Sequence, residues 1–350
     1  MSDILMIGIG AMLICFTVAT FFLSRLQTDV FPEEYEFALD PFWYVIGIMF
    51  AGGLGAYFLC PTFSDMIKTY SWVDFALPFI FAFIIYGAYL LDVEWVTSLV
   101  TFAAALVISF MQPDEFSLFA PHLTPLEDKF AVALIIFVIS MGLGLLNGLG
   151  GIASMQFLTV MAVVIALVYF NALPNLLGVI AAAYFGTMLA FAFFSFPPEK
   201  IVMSDGGFSS LGFVMGCFML NGANEYAESS MFIAVAFLMV ETGRAFYERF
   251  ILRRNIDMAF MNTAYYKISN NGVYEKGVVY GVFKILFINL VLAVMQIAAS
   301  ERFAVPFFAA ALDVWFLSIL SGDTKPQEFL SLTKTVARFL FKKKNKTDKK

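Results

Sequence analysis

A series of long apolar blocks constrains this chain more than any other feature of its sequence. Each block is about 20 residues long, the length that an α-helix needs to cross the hydrocarbon core of a bilayer. Backbone polar groups in lipid must be satisfied internally, so only α-helices and closed β-barrels span membranes. The blocks lack the apolar/polar alternation of barrel strands. The sequence therefore predicts an all-α, polytopic membrane protein with about eleven transmembrane helices, at 3–24, 42–62, 72–91, 95–112, 130–147, 154–171, 174–196, 207–220, 230–244, 278–299 and 303–320.

The composition agrees with this class and excludes an ordinary soluble domain. Hydrophobic residues make up 61% of the 350 residues and charged residues 14%, and the mean hydropathy is +0.84. Soluble domains carry about 25% charged residues. The formal net charge of -6 does not indicate an acidic surface, because acidic and basic residues lie in different loops. We expect no nucleic-acid partner.

The distribution of basic residues predicts the orientation of the chain. No basic residue precedes the first apolar block, which argues against a cleaved signal peptide and favours an N-terminus outside. With an odd number of spans, the C-terminus is then cytoplasmic. Of the 21 Lys and Arg residues, only Lys68, Lys129 and Arg302 fall outside, and Lys284 falls within the tenth span. The other seventeen are on the cytoplasmic side, as the positive-inside rule demands.

In this interpretation the chain consists of two regions. Residues 1–322 are predicted to form one transmembrane domain, and residues 323–350 a cytoplasmic tail. One helical face of the tail carries four apolar residues before a lysine-rich end, namely Phe329, Leu332, Val336 and Leu340. This pattern predicts an amphipathic helix on the anionic cytoplasmic leaflet, so anionic lipid is an expected partner of the tail. A frayed, solvated tail is the alternative.

Polar residues beside the apolar blocks are the first candidates for function, because they are costly next to lipid. Asp92 follows the third block, Asn147 the fifth and Asp205 the seventh. All three loops open on the predicted cytoplasmic side, so these residues are expected to face one cleft. The alternative is that the two aspartates are helix caps or charges reaching toward water. Asp313, inside the last block, either pairs with a neighbouring helix or marks a transport path.

Two stretches of the chain carry a recognisable pattern. Residues 196–212 begin with Phe-Pro-Pro and place Asp205 before two glycines, and residues 147–153 are rich in glycine. Both resemble segments of the polyprenyl-phosphate N-acetylhexosamine-1-phosphate transferases (glycosyltransferase family 4). That family includes the phospho-N-acetylmuramoyl-pentapeptide translocases and the undecaprenyl-phosphate GlcNAc-1-phosphate transferases. The resemblance extends over residues 72–299.

The resemblance implies a reaction and a location. In that family a polyprenyl phosphate attacks a UDP-sugar, UMP leaves, and the product serves cell-wall or O-antigen biosynthesis in the bacterial cytoplasmic (inner) membrane. Carboxylate-bound Mg²⁺ neutralises the diphosphate. The resemblance therefore implies a metal-binding role for Asp205, a catalytic role for Asp92, and cofactor-binding roles for Asn147, Tyr265 and Tyr266. A polyprenyl phosphate and a UDP-sugar are the implied partners, and a homodimer is a further expectation.

The chain departs from the family pattern at several of these positions. Leu91 stands in place of the first of two aspartates, and Gly144 and Gly150 replace an asparagine and an aspartate. Tyr265 and Tyr266 stand where the family has histidines, and a phenol with a pKa of about 10 does not replace a phosphate-binding imidazole. The predicted function is that of a catalytically degenerate binding or assembly subunit. An active, Mg²⁺-dependent transferase and a transporter are the alternatives.

Overall fold

The protein is described by a computed structural model, which covers residues 2–26, 40–59, 72–112, 123–221, 227–247, 275–297 and 304–320. Within these ranges the chain forms helices joined by turns, and no strand occurs there. The all-α class predicted from the apolar blocks is confirmed.

Eleven α-helices lie in the described ranges, and each overlaps one of the predicted apolar blocks. Their bounds are α1 (Ser2–Leu26), α2 (Pro41–Leu59), α3 (Trp72–Tyr89), α4 (Glu94–Met111), α5 (Pro125–Leu145), α6 (Ile152–Tyr169), α7 (Asn175–Ser195), α8 (Asp205–Asn221), α9 (Ala227–Phe246), α10 (Glu275–Gln296) and α11 (Ala304–Leu320). A short 3-10 helix, Leu146–Gly148, follows α5.

Seven helices of the described chain are long and apolar enough to cross a membrane, namely α1, α2, α5, α6, α7, α9 and α10. Shorter apolar segments lie in α3, α4 and α8. Large apolar side chains are exposed on the outer helices, among them Ile14 of α1, Leu99 of α4 and Phe287 of α10. A soluble protein rarely leaves so much apolar surface in water. These features bear out the prediction of a polytopic membrane protein.

Helix α7 is the most buried of the seven helices that are long and apolar enough to cross a membrane. It packs against α1, α2 and α6, while α8 packs against α5 and α3. Helix α9 contacts α10 and α11, and α6 joins this group to α7. The largest buried side chains include Tyr184 and Phe191 of α7, Phe157 of α6 and Phe213 of α8.

A glycine explains the close contact between α1 and α7. Gly186 of α7 faces the backbone carbonyl of Met12 in α1, and a Cβ atom at position 186 would collide with that oxygen. Lipid tails are as apolar as leucine, so helices in a membrane associate through close van der Waals packing, which small residues allow. This contact fixes α7, whose C-terminal end leads into the loop described next.

Candidate functional site

Four segments meet at one end of the bundle, which we call the polar end. They are the start of α2, the turn after α3, the 3-10 helix after α5, and the 196–204 loop between α7 and α8. The residues that define the polar end are Asp40, Tyr89, Asn147, Glu199 and Asp205. All four segments are cytoplasmic in the topology predicted from the sequence.

Asn147 and Asp205 are in direct contact at the polar end. The Asn147 side-chain amide donates to Asp205 Oδ1 at 2.7 Å and to the Met203 carbonyl at 2.9 Å. A carbonyl oxygen can only accept a hydrogen bond, so the contact with Met203 fixes which way the amide of Asn147 points. Both amide hydrogens are therefore used, and one of them is directed at the carboxylate of Asp205.

Asp205 is placed by the first turn of α8. The preceding Ser204 caps this helix, because its hydroxyl accepts a hydrogen bond from the Gly207 N–H at 3.0 Å. Asp205 is the first residue of the helix, where the positive end of the helix dipole favours a negative charge. The serine that begins the Ser-Asp-Gly-Gly sequence thus explains why Asp205 lies where Asn147 can reach it.

The two glycines that depart from the family pattern leave no space for a side chain. A Cβ atom at Gly144 would collide with the Ser209 hydroxyl. A Cβ atom at Gly150 would collide with the carboxylate of Glu199 and the Ser195 carbonyl. The backbone around these positions is therefore incompatible with the asparagine and the aspartate that the resemblance would place there.

Glu199 occupies the space beside Gly150. Its Oε1 accepts a hydrogen bond from the Gly150 N–H at 2.7 Å, which joins the 3-10 segment to the 196–204 loop. The side chain as a whole is exposed, but its carboxyl end is enclosed by these two loops. Burial of that end raises the pKa of the Glu199 carboxyl, the Gly150 N–H opposes the rise, and the negative charge of Glu275 adds to it.

Asp92 is near this cluster but makes no direct contact with Asp205 that the structure records. It lies in the turn after α3, is exposed, and has a left-handed backbone conformation with φ of 55°. Asp92, Asp205 and Asp40 all lie close enough to the Tyr89 hydroxyl to interact with it electrostatically. The ring of Tyr89 packs against Gly206, the residue that follows Asp205. The structure thus brings Asn147 and Asp205 together and leaves Asp92 at the edge.

Two residues at the polar end, Asp40 and Tyr86, are not among those predicted from the sequence. Asp40 accepts hydrogen bonds from the Phe42 N–H at 2.9 Å and from the Tyr86 hydroxyl at 2.8 Å. Tyr86 stacks on Phe42 with ring centroids 4.2 Å apart and also hydrogen-bonds to Ser204. An aspartate followed by a proline at a helix start is a recognisable N-cap signal, which identifies Asp40 as a cap. No sequence signal points to the contact with Tyr86 on another helix.

The polar end does not fit a magnesium ion well. Mg²⁺ takes oxygen ligands in a nearly ideal octahedron, whereas Asp205 Oδ1 faces a hydrogen-bond donor. Among the described residues, no group of three or more His, Cys, Asp or Glu side chains is placed to hold a metal ion. Asp40 is already engaged by two donors. These residues form a hydrogen-bonded network that joins helix ends.

Asp313 is fully buried and pairs with α10. The Asn289 side-chain amide donates to both carboxylate oxygens of Asp313, at 3.1 and 3.0 Å. Of the two alternatives that the sequence left open for Asp313, the structure contains the interhelical pair. Such a contact satisfies polar groups that would otherwise be exposed to hydrocarbon.

Several sequence predictions lie outside the described residues. These are the cofactor-binding roles of Tyr265 and Tyr266 and the amphipathic tail at 323–350.

Comparison with known proteins adds no assignment. No protein-family model matches the chain, and no curated protein matches it.

Proposed function

We propose that the protein is a multi-pass protein of the bacterial cytoplasmic membrane, of the polyprenyl-phosphate sugar-1-phosphate transferase type, and that it acts as a binding or assembly subunit without transferring sugar phosphate. The observation that carries the proposal is the hydrogen bond from Asn147 to Asp205. It places an amide hydrogen where a transferase of this type would need a cation.

The chemistry of phosphoryl transfer explains why this contact supports the proposal. Catalysis depends on metal ions and positive groups that neutralise the charge developing on the phosphates. At the polar end, the neutral amide of Asn147 already donates a hydrogen bond to Asp205 Oδ1, and Gly144 and Gly150 have no room for further ligand side chains. Loss of several members of a catalytic group leaves little activity, even though such losses are not additive.

The proposed topology has eleven spans, with the N-terminus outside and the C-terminus in the cytoplasm. The placement of the polar end supports it, because segments that the charge pattern assigns to the cytoplasm contact one another there. Lys129, which the charge pattern assigns to the outside, lies over the ring of Phe110 near the end of α4. Because α4 begins just after the polar-end turn, Phe110 and Lys129 are at the opposite end of that helix from the polar end.

An assay of UMP release tests the proposal directly. The full-length protein in lipid nanodiscs would be supplied with labelled UDP-GlcNAc, undecaprenyl phosphate and Mg²⁺. We expect UMP release no greater than that of the matched Asp205→Asn variant, together with retained binding of undecaprenyl phosphate in native mass spectrometry. Release that exceeds the Asp205→Asn background would overturn the degenerate interpretation. Absence of both release and lipid binding would remove the proposed ligand.

A further inference from the structure

Asp313 of α11 is a carboxyl group without a positively charged partner among the described residues. It is fully buried, and the two hydrogen bonds that it accepts come from the neutral amide of Asn289 in α10. An isolated ionised carboxylate is very costly in an apolar medium, so such a group is neutralised by a proton or paired with a cation. The burial of Asp313 therefore indicates a positively charged ligand.

The amide of Asn289 indicates that this ligand is a proton. Its nitrogen lies 3.1 and 3.0 Å from the two carboxylate oxygens of Asp313, whereas its Oδ1 is buried without a hydrogen-bond partner. A half-turn of the amide would bring Oδ1 to the carboxyl group, where it can accept a hydrogen bond from a protonated Asp313. A hard metal cation takes about six oxygen ligands, whereas these two side chains offer three.

The charged residues of the neighbouring helices do not take the place of a proton. Helix α11 packs against α9 and α10, and α6 packs on α10 without carrying a charge of its own. The charged residues of α9 and α10 are Glu228, Glu241, Arg244, Glu275, Lys276 and Lys284. Arg244 is bonded to Glu241, and Lys284 is exposed. Within the described chain, none of the six forms a hydrogen bond or an ion pair with Asp313.

The two halves of α10 differ in the polarity of their buried face. Between the first turn, which lies beside the polar end, and Asn289, this face is apolar and includes Val282 and Leu286. Beyond Asn289 it carries Gln296, a buried amide seven residues further along the helix, which is a distance of about 10 Å. Water and protons need polar groups along their path. A proton therefore reaches Asp313 more easily from the side of Gln296.

We propose that Asp313 and Asn289 form a proton-binding site inside the membrane, which exchanges its proton through the end of the bundle opposite the polar end. With the proton bound, the Asp313 hydroxyl donates to Asn289 Oδ1, and the amide nitrogen donates to the other carboxyl oxygen. When the O–H bond breaks, the proton passes to water, and the amide turns to donate to both carboxylate oxygens, as in the structure. The inference does not rest on the proposed function, because neither residue belongs to the polar end.

The test uses the full-length protein in lipid nanodiscs and infrared difference spectroscopy, in which a protonated carboxyl group has a C=O band distinct from that of a carboxylate. Asp313→Asn identifies the band of Asp313, because an amide at this position can form the same reciprocal pair with Asn289 but has no acid band. Asn289→Leu removes the partner of Asp313. Gln156→Leu is the matched control, since Gln156 is a fully buried amide of α6 that donates to the Ala234 carbonyl.

We expect an acid band of Asp313 at neutral pH that disappears as the pH is raised to about 10, above the range in which buried carboxyl groups titrate. Asn289→Leu should move this band to higher frequency, because the carboxyl C=O loses its hydrogen bond, and Gln156→Leu should leave it unchanged. Exchange of the bound proton for deuterium should be slower in Gln296→Leu than in the wild-type protein and in Gln156→Leu.

An ionised Asp313 at neutral pH would overturn the proton site, as would an acid band that persists at about pH 10. An unchanged band frequency in Asn289→Leu would overturn the pairing of the bound proton with Asn289. Loss of the acid band in sodium chloride but not in choline chloride would show that the ligand is a metal cation instead. Exchange in Gln296→Leu as fast as in the wild-type protein would overturn the proposed route.

Discussion

Replacing Asn147 with aspartate would reverse the electrostatics of the polar end while hardly changing its shape. The amide now donates to Asp205 Oδ1 at 2.7 Å. A hydrogen bond to a charged group contributes roughly 1.5–3 kcal/mol. Two carboxylates about 4 Å apart near a protein surface repel by up to about 4 kcal/mol. The Met203 carbonyl also loses its donor. We therefore expect Asn147→Asp to lower the free energy of unfolding by roughly 3–5 kcal/mol.

Magnesium should then act on the variant and not on the wild-type protein. A carboxylate pair supplies the oxygen ligands that Mg²⁺ prefers. A ligand at 100 times its dissociation constant stabilises the folded state by about 2.7 kcal/mol. Thermal unfolding in detergent, with and without Mg²⁺, would measure the effect. The double variant Asn147→Asp/Asp205→Asn should recover much of the lost stability, because an amide again faces a carboxylate.

Asn147→Leu is the control for loss of the donor without added charge. It should be destabilised, and Mg²⁺ should not rescue it. The reasoning would be refuted if Mg²⁺ raised the unfolding midpoint of the wild-type protein as much as that of Asn147→Asp. It would also be refuted if the double variant were no more stable than Asn147→Asp.

Three further predictions concern the surroundings of this contact and the orientation of the chain. Tyr86→Phe should lower the free energy of unfolding by roughly 1.5–3 kcal/mol, because the buried carboxylate of Asp40 loses a donor; an unchanged unfolding midpoint would contradict this contact. Glu199 has a raised pKa, so the wild-type protein should lose stability relative to Glu199→Gln as the pH rises from about 4 to 7. A wild-type protein that gains stability relative to Glu199→Gln over that range would contradict the burial of its carboxyl end. In a cysteine-free background, a cysteine at Gln112 should react with an impermeant thiol reagent from outside, and a cysteine at Lys200 only after the membrane is opened. The reverse labelling would reject the proposed orientation.

At the candidate site, the residues could be identified from the sequence, whereas their side-chain contacts could not. The sequence alone identifies Asp205 and Asn147 as residues of interest, because they are polar positions beside apolar blocks. It does not show that their side chains bond to each other, since 58 residues separate them. Nor does it show that Gly150 has no room for a side chain, because the obstructing carboxylate belongs to Glu199 in a different loop.

The sequence by itself determined where the helices of this protein lie along the chain. Apolar runs long enough to cross a bilayer predict helices locally, since lipid offers the backbone no other hydrogen-bond partners. Only the tertiary structure decided the partners of the polar residues. Asp313 illustrates the difference: its cost inside the membrane is evident from the sequence, whereas its pairing with Asn289 depends on how α10 and α11 pack. Side-chain contacts between distant segments arise from the packing of whole helices, which no local pattern encodes.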